Sequence, residues 1–257
     1  MATDIIARAI GQSAKDKTDK ITDGLNEHLE DGTQHAKTAR FVIGTSTAGW
    51  TEKDCDYLCD GTNDQEEIIQ ALNALPATGG EVVILDGTYN ITESINIPKD
   101  NVSLRGNGNA TILKRMYNSG PTVRGLITLN EKSGCKIQGL QIDGNKATYT
   151  ASYNYGIYLS SSSDNTVTDN TCSNNSSSIY LYSSSNNTVT GNTCIRGTGQ
   201  TSDYASTQYT IQLQGTDNNY NLISSNNCMG KAVVIEGGTG NSAWGNKFDN
   251  TNNLPLP

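Results

Sequence analysis

From about residue 81 onward, apolar residues alternate with polar ones over short stretches, the period of a half-buried strand, and the stretches themselves recur. The clearest pair is IYLSSSSDNTVTDNTC from Ile157 and IYLYSSSNNTVTGNTC from Ile179, offset by 22 residues. A third copy runs from Ile211 to Cys228, a fourth from Val234 to Phe248, and an earlier one, Ile127 to Ile142, keeps the apolar pattern without the asparagines. Self-similarity at a fixed period marks stacked coils. With three short strands per coil, Ile157, Ile179, Ile211 and Val233 share one internal row, Leu159, Leu181, Leu213 and Ile235 the next, and Cys172, Cys194, Cys228 and Phe248 a third. The pattern predicts an all-β, single-stranded right-handed parallel β-helix over residues 81–257, about seven rungs tall. Asn170, Asn192, Asn226 and Asn246 each lie two residues before the Cys or Phe position. Asparagine tolerates left-handed backbone and bonds local amides, so this row predicts a turn ladder.

A solenoid end exposes unpaired strand edges and needs a cap. Residues 37–80 are expected to supply it: FVIGTSTAG reads as an edge strand, and NDQEEIIQALNALPATGG as a helix. Asp64 is its expected N-cap with Glu67 three residues on, Ile68, Leu72 and Leu75 form the apolar stripe, and Pro76, Gly79 and Gly80 end it. Pro255 and Pro257 lack amide donors and cannot extend a ladder. Residues 1–36 carry Ile5, Ile6, Ile10, Ile21, Leu25 and Leu29 at loosely helical spacing. One isolated helix cannot bury such a stripe, so this segment is expected to attach the chain to partners or to copies of itself.

Composition narrows the function. The apolar fraction is 34% and the net charge -8, with 18 basic and 26 acidic residues, which argues against a nucleic acid partner held by clustered cations. No run approaches the length of a membrane span, and the opening MATDIIARAIGQSAKDK lacks the pattern of a secretory signal, so synthesis in the cytoplasm without a leader is expected. Cys55 and Cys59 are four apart, and the two histidines, His28 and His35, lie elsewhere, so no metal and no cofactor is expected.

The segment DYLCDGTNDQEEIIQALNALPATGGEVVILDGTYNI resembles the opening of pectate-lyase-superfamily β-helices: an acidic helix, a Gly-Gly break, a strand and a Gly-Thr-Tyr turn. Phe41 to Arg115 is similar to a module of Gram-positive bacteria and their phages or prophages, and the later units are similar to degenerate β-helix repeats of carbohydrate-active and surface proteins. The resemblance covers residues 41–251 and implies fold more than activity. It also implies a tailspike or tail-fibre role and a trimer. The polygalacturonase-like signatures and the Arg-x-Pro-x-x-Arg of the classical lyase site are absent; only IDGN, Ile142 to Asn145, is similar to a glycosidase phrase.

Hydrolysis of a glycoside usually needs two carboxylates roughly 5 to 9.5 Å apart. If the chain is an enzyme, Asp143 and Asp203 are the candidates; Asp164 and Asp169 read as turn residues, their equivalents one coil on being Asn186 and Gly191. Binding leaves more trace. The spacings Ile127–Ile157–Ile179–Ile211–Val233 are 30, 22, 32 and 22, so two extra loops, 144–154 and 196–208, rise at one corner. The notch between them is about 10 Å wide, two rung spacings, and suits a sugar ring. Tyr149, Tyr153 and Tyr155 are expected on one wall, Tyr204 and Tyr209 on the other, with Tyr158, Tyr180 and Tyr182 as an outward stripe that serves either a glycan or a subunit interface.

The expectation is a phage or prophage tail-type protein at the virion tail or an extracellular surface. It is a homo-oligomer, with a trimer favoured. It recognises a host cell-surface polysaccharide, and residues 1–36 contact tail or baseplate proteins. The alternatives are an extracellular polysaccharide lyase or glycoside hydrolase, and a bacterial surface adhesin.

Overall fold

The computed structural model describes residues 39–122, 124–195, 209–228 and 233–248. They form a right-handed parallel β-helix, every strand pair parallel, in a 14-stranded sheet and a 6-stranded sheet. The segment 1–36, the loop 196–208 with Asp203 and Tyr204, and Pro255 and Pro257 lie outside the described residues.

The predicted rows stack in register. On the smaller sheet, Ile127, Ile157, Ile179 and Ile211 are paired neighbours, as are Leu129, Leu159, Leu181, Leu213 and Ile235. On the larger sheet one column runs Tyr89, Leu113, Ile142, Cys172, Cys194, Cys228, with Phe248 next in backbone register, and a second runs Val82, Leu104, Ile137, Val167, Val189, Ile223, Ala243. Alternation in a strand sends one residue in two inward, so each face contributes a column, and the columns merge into one buried core.

Asparagines close the corners. Asn170 Nδ2 donates to Asn192 Oδ1 (3.0 Å), Asn192 to Asn226 (3.0 Å) and Asn226 to Asn246 (2.9 Å), as the sequence spacing predicts. A second ladder, Asn165–Asn187–Asn221–Asn241, was not foreseen, with links of 3.1, 3.1 and 3.0 Å. Its members sit two before Val167, Val189, Ile223 and Ala243, the same offset that marks the first.

Two details of the capping region differ from expectation. The strand Arg40–Thr45 is no edge: it pairs with Tyr57–Cys59 on one side and Gly80–Ile84 on the other, because the intervening segment folds back as an extra strand. Helix α1, Gln65–Ala74, has Asp64 at its N-cap, yet that carboxylate does not cap it. It accepts instead from the amides of Gly61 (2.8 Å) and Asn90 (2.6 Å), tying the preceding turn to the first coil. The other end is capped by Lys99, which donates to the carbonyls of Asn73 (2.6 Å) and Leu75 and places a cation at the helix C-terminus. Gly79 ends the segment at φ +94, where a Cβ would lie 2.3 Å from the Asn101 carbonyl oxygen.

Candidate functional site

Outward positions of the smaller sheet form two rows. One reads Asn96, Thr128, Tyr158, Tyr180, Gln212; the other Asn130, Ser160, Tyr182, Gln214. The tyrosine stripe is therefore present in register, but most of it is covered. Tyr158 is 8% exposed and Tyr180 2%, because Tyr155, at the end of loop 144–154, stacks on Tyr180 with ring centroids 4.3 Å apart and planes 4° apart. Tyr158 tilts against both, and Tyr153 packs beside them, so the rings expected on the surface spend their faces on one another as a small second core. The Tyr180 hydroxyl donates to Gln214. Tyr182, 40% exposed, keeps an accessible ring, and Tyr149 is half-buried. Tyr209 opens the strand that pairs with Ser177–Tyr182. Tyr204 and the second wall of the predicted notch fall outside the described residues.

Beside Tyr182 lies a groove of about 390 Å³, lined by Tyr158 and Tyr182, by amide and hydroxyl side chains including Asn96, Asn130 and Ser160, and by Arg124. Its outer wall is loop 116–124, which sequence reasoning missed. The signal was there: Ile95 to Ile127 spans 32 residues, the same excess that marks loop 196–208. Loops 116–124 and 144–154 are clasped together. Asn154 Oδ1 accepts from the Ser119 amide (2.7 Å), and Asn118 Oδ1 from the Ala151 amide (3.1 Å). Beneath them Arg115, fully buried, donates to Ser119 Oγ (2.7 Å) and to the Tyr155 carbonyl (2.5 Å), its guanidinium 4.6 Å from the Tyr117 ring centroid. Burial pushes the Arg115 pKa down, and no carboxylate pairs with it among the described residues.

Asp143 ends its strand at the corner where the loops rise, with Oδ1 accepting from the Asn145 amide (2.9 Å) and Asn174 Nδ2 (2.9 Å). Its suggested partner, Asp203, is outside the described residues. Asp164 and Asp169 occupy left-handed turn positions at φ 58 and 56, as Asn186 and Gly191 do one coil on, which accounts for both without chemistry. Cys59, Asp64 and Glu67 bring potential metal donors within 4.8 Å of one another. Burial, then the nearby Asp64 carboxylate, pushes the Cys59 thiol up, and both Asp64 oxygens already accept backbone bonds.

A family model described as "Periplasmic copper-binding protein (NosD)" matches residues 86–256. Among solved structures, ORF18 of Geobacillus virus E2 superposes with a TM-score of 0.55 at 19% identity, over 81% of this chain and 41% of that one. The A-module of the mannuronan C-5 epimerase AlgE6 of Azotobacter vinelandii gives 0.54 at 18%, over 74% and 54%. The chain thus spans roughly half or less of each, and the likeness is one of fold, shared by a phage protein and a carbohydrate-active enzyme. No curated protein matches the sequence.

Proposed function

We propose, for a chain that belongs to the NosD family of parallel β-helix proteins, a carbohydrate-binding role in which the outer face of the smaller sheet receives a segment of a surface polysaccharide. The groove beside Tyr182 carries this reading. One open aromatic ring among amides and hydroxyls offers a flat apolar body for a pyranose face and hydrogen-bond partners for its rim. The rigid ladder beneath holds those groups at fixed rung spacing, so little ordering accompanies binding. A tail-type or adhesin-like surface protein, homo-oligomeric and attached through residues 1–36, is the setting we propose for it. On a glycan array the full-length chain should retain a subset of polysaccharides, and Tyr182→Ala should lose them at least tenfold in affinity with melting unchanged. Retention that is indifferent to Tyr182 rejects the groove as the binding surface.

A second reading, a polysaccharide lyase or hydrolase, draws on Asp143, the carboxylate placed where the loops rise. Reducing-end and unsaturated-uronate assays decide it: turnover that disappears in Asp143→Asn is the result it requires.

Copper, which the family description names, does not suit the donors among the described residues of the matched segment. Copper sites draw on thiolate, thioether and imidazole. Residues 86–256 contain no histidine; their methionines are Met116 and Met229, of which Met116, the one among the described residues, lies beside the Asn145 carboxamide, and their four cysteines, Cys135, Cys172, Cys194 and Cys228, are all buried. Hydrogen bonding to Cys172, then burial, pushes the Cys194 thiol well up, and bonding to Cys194 with burial does the same for Cys228. The buried cysteine column is shape-filling, like the Leu113 and Ile142 below it. Stoichiometric Cu(I) capture against a competing chelator is therefore not expected; one equivalent bound by the wild type and lost in Cys194→Val is the contrary result. Under native conditions a thiol reagent should modify Cys55, the half-exposed cysteine, and spare the buried five. Since the fold holds the Cys194 and Cys228 thiols above the ordinary thiol range, their contribution to stability is complete below that range and declines as pH rises through it.

A further inference from the structure

Resting on the groove as a sugar site, we propose that its ligand is an anionic glycan whose carboxylate or phosphate is taken by Arg124. The side chain is held ready. Its Nε donates to the Pro121 carbonyl at 2.8 Å, and the guanidinium carbon sits 5.1 Å from the Tyr153 ring centroid and 5.9 Å from that of Tyr158. The two rings and the carbonyl fix the plane of the fork, while the terminal nitrogens have no protein acceptor among the described residues. A guanidinium with one edge tied and the other free matches a two-oxygen acceptor, where parallel N–H···O⁻ bonds form.

The charge around it agrees. Arg124 is the one ionisable cation among the side chains lining the groove, and none of them is acidic. The nearest acid of the adjoining smaller hollow, Glu93, lies in the depression that shares only Asn96 with the groove. In a chain of net charge -8, where both salt bridges among the described residues use Glu81, an arginine left without a carboxylate at the rim of a polar groove is the arrangement a bound anion completes. Tyr182, on the second row, is then placed to carry the ring of the same or the next sugar.

The test is a glycan array bearing neutral polysaccharides, uronate-containing ones and phosphodiester-containing ones, with poly-glutamate as a non-sugar polyanion, probed by the full-length chain, Arg124→Gln, Arg124→Lys and Tyr182→Ala. The expected result is retention confined to anionic glycans, weakened at least tenfold by Arg124→Gln, partly restored by Arg124→Lys, abolished by Tyr182→Ala and falling with added salt. The uronate and phosphodiester arms identify which group carries the charge. Neutral glycans bound equally well, or anionic ones held undiminished by Arg124→Gln, overturn the anion assignment and leave the sugar site standing. Retention of poly-glutamate without any glycan, or of nothing at all, overturns the sugar site as well. Unchanged melting of each variant ensures that a lost signal is not lost fold.

Discussion

Tyr180→Ala should lower the stability of the chain by about 3 kcal/mol, whereas Tyr182→Ala, two residues away on the same strand, should change it by less than about 0.5 kcal/mol. The two side chains leave the same face of the sheet, so strand position alone does not separate them. What separates them is cover. Tyr180 is sandwiched under Tyr155 and beside Tyr158, and its truncation removes a stacked pair and opens a hollow beneath loop 144–154. Tyr182 keeps its ring exposed. The measurement is a pair of denaturant titrations; equal losses in the two variants mean that the loop does not close over Tyr180. Glycan affinity should invert the order per unit of stability lost, since Tyr182→Ala spares the fold and removes the platform.

Asn192→Ala should cost about as much, on the order of 3 kcal/mol, although it deletes no apolar surface. The Asn192 carboxamide is fully buried and serves three coils at once. Its oxygen accepts from the amide (3.1 Å) and Nδ2 (3.0 Å) of Asn170, and its nitrogen donates to Val167 O (2.9 Å), Thr190 O (3.1 Å) and Asn226 Oδ1. Alanine leaves buried donors and acceptors on the coils above and below without partners, and the cost of such orphans exceeds the net gain of an average hydrogen bond. The same change at Asn186, an exposed left-handed turn residue at φ 57, should cost less, about 1 kcal/mol, because only the backbone preference is lost. Thermal melts of the two single variants give the comparison; a smaller loss at Asn192 than at Asn186 removes the ladder from the account of what holds the coils together.

The fold was open to reading because the signals for it are local and repeated. Alternation assigns each side chain to the inside or outside of a coil, and a 22-residue offset superposes equivalent positions, so Ile157 meets Ile179 and Cys172 meets Cys194 without any knowledge of distant contacts. Turn asparagines are equally local, which is why one ladder was found and the other, at the same offset from its apolar row, could have been.

The site was not, since it depends on what lies over the outer face. Outward pointing is fixed by the strand; exposure is fixed by whether a loop from another coil folds across, and loops 116–124 and 144–154 do so through Asn118, Asn154 and Arg115, residues with no periodic signature. The sequence by itself therefore determined the solenoid, its columns and its turn chemistry, all consequences of short-range pairing repeated many times. Only the tertiary structure decided that Tyr155, Tyr158 and Tyr180 pack as a core while Tyr182 and Arg124 stay open, because cover is made by contacts between residues that no sequence interval relates.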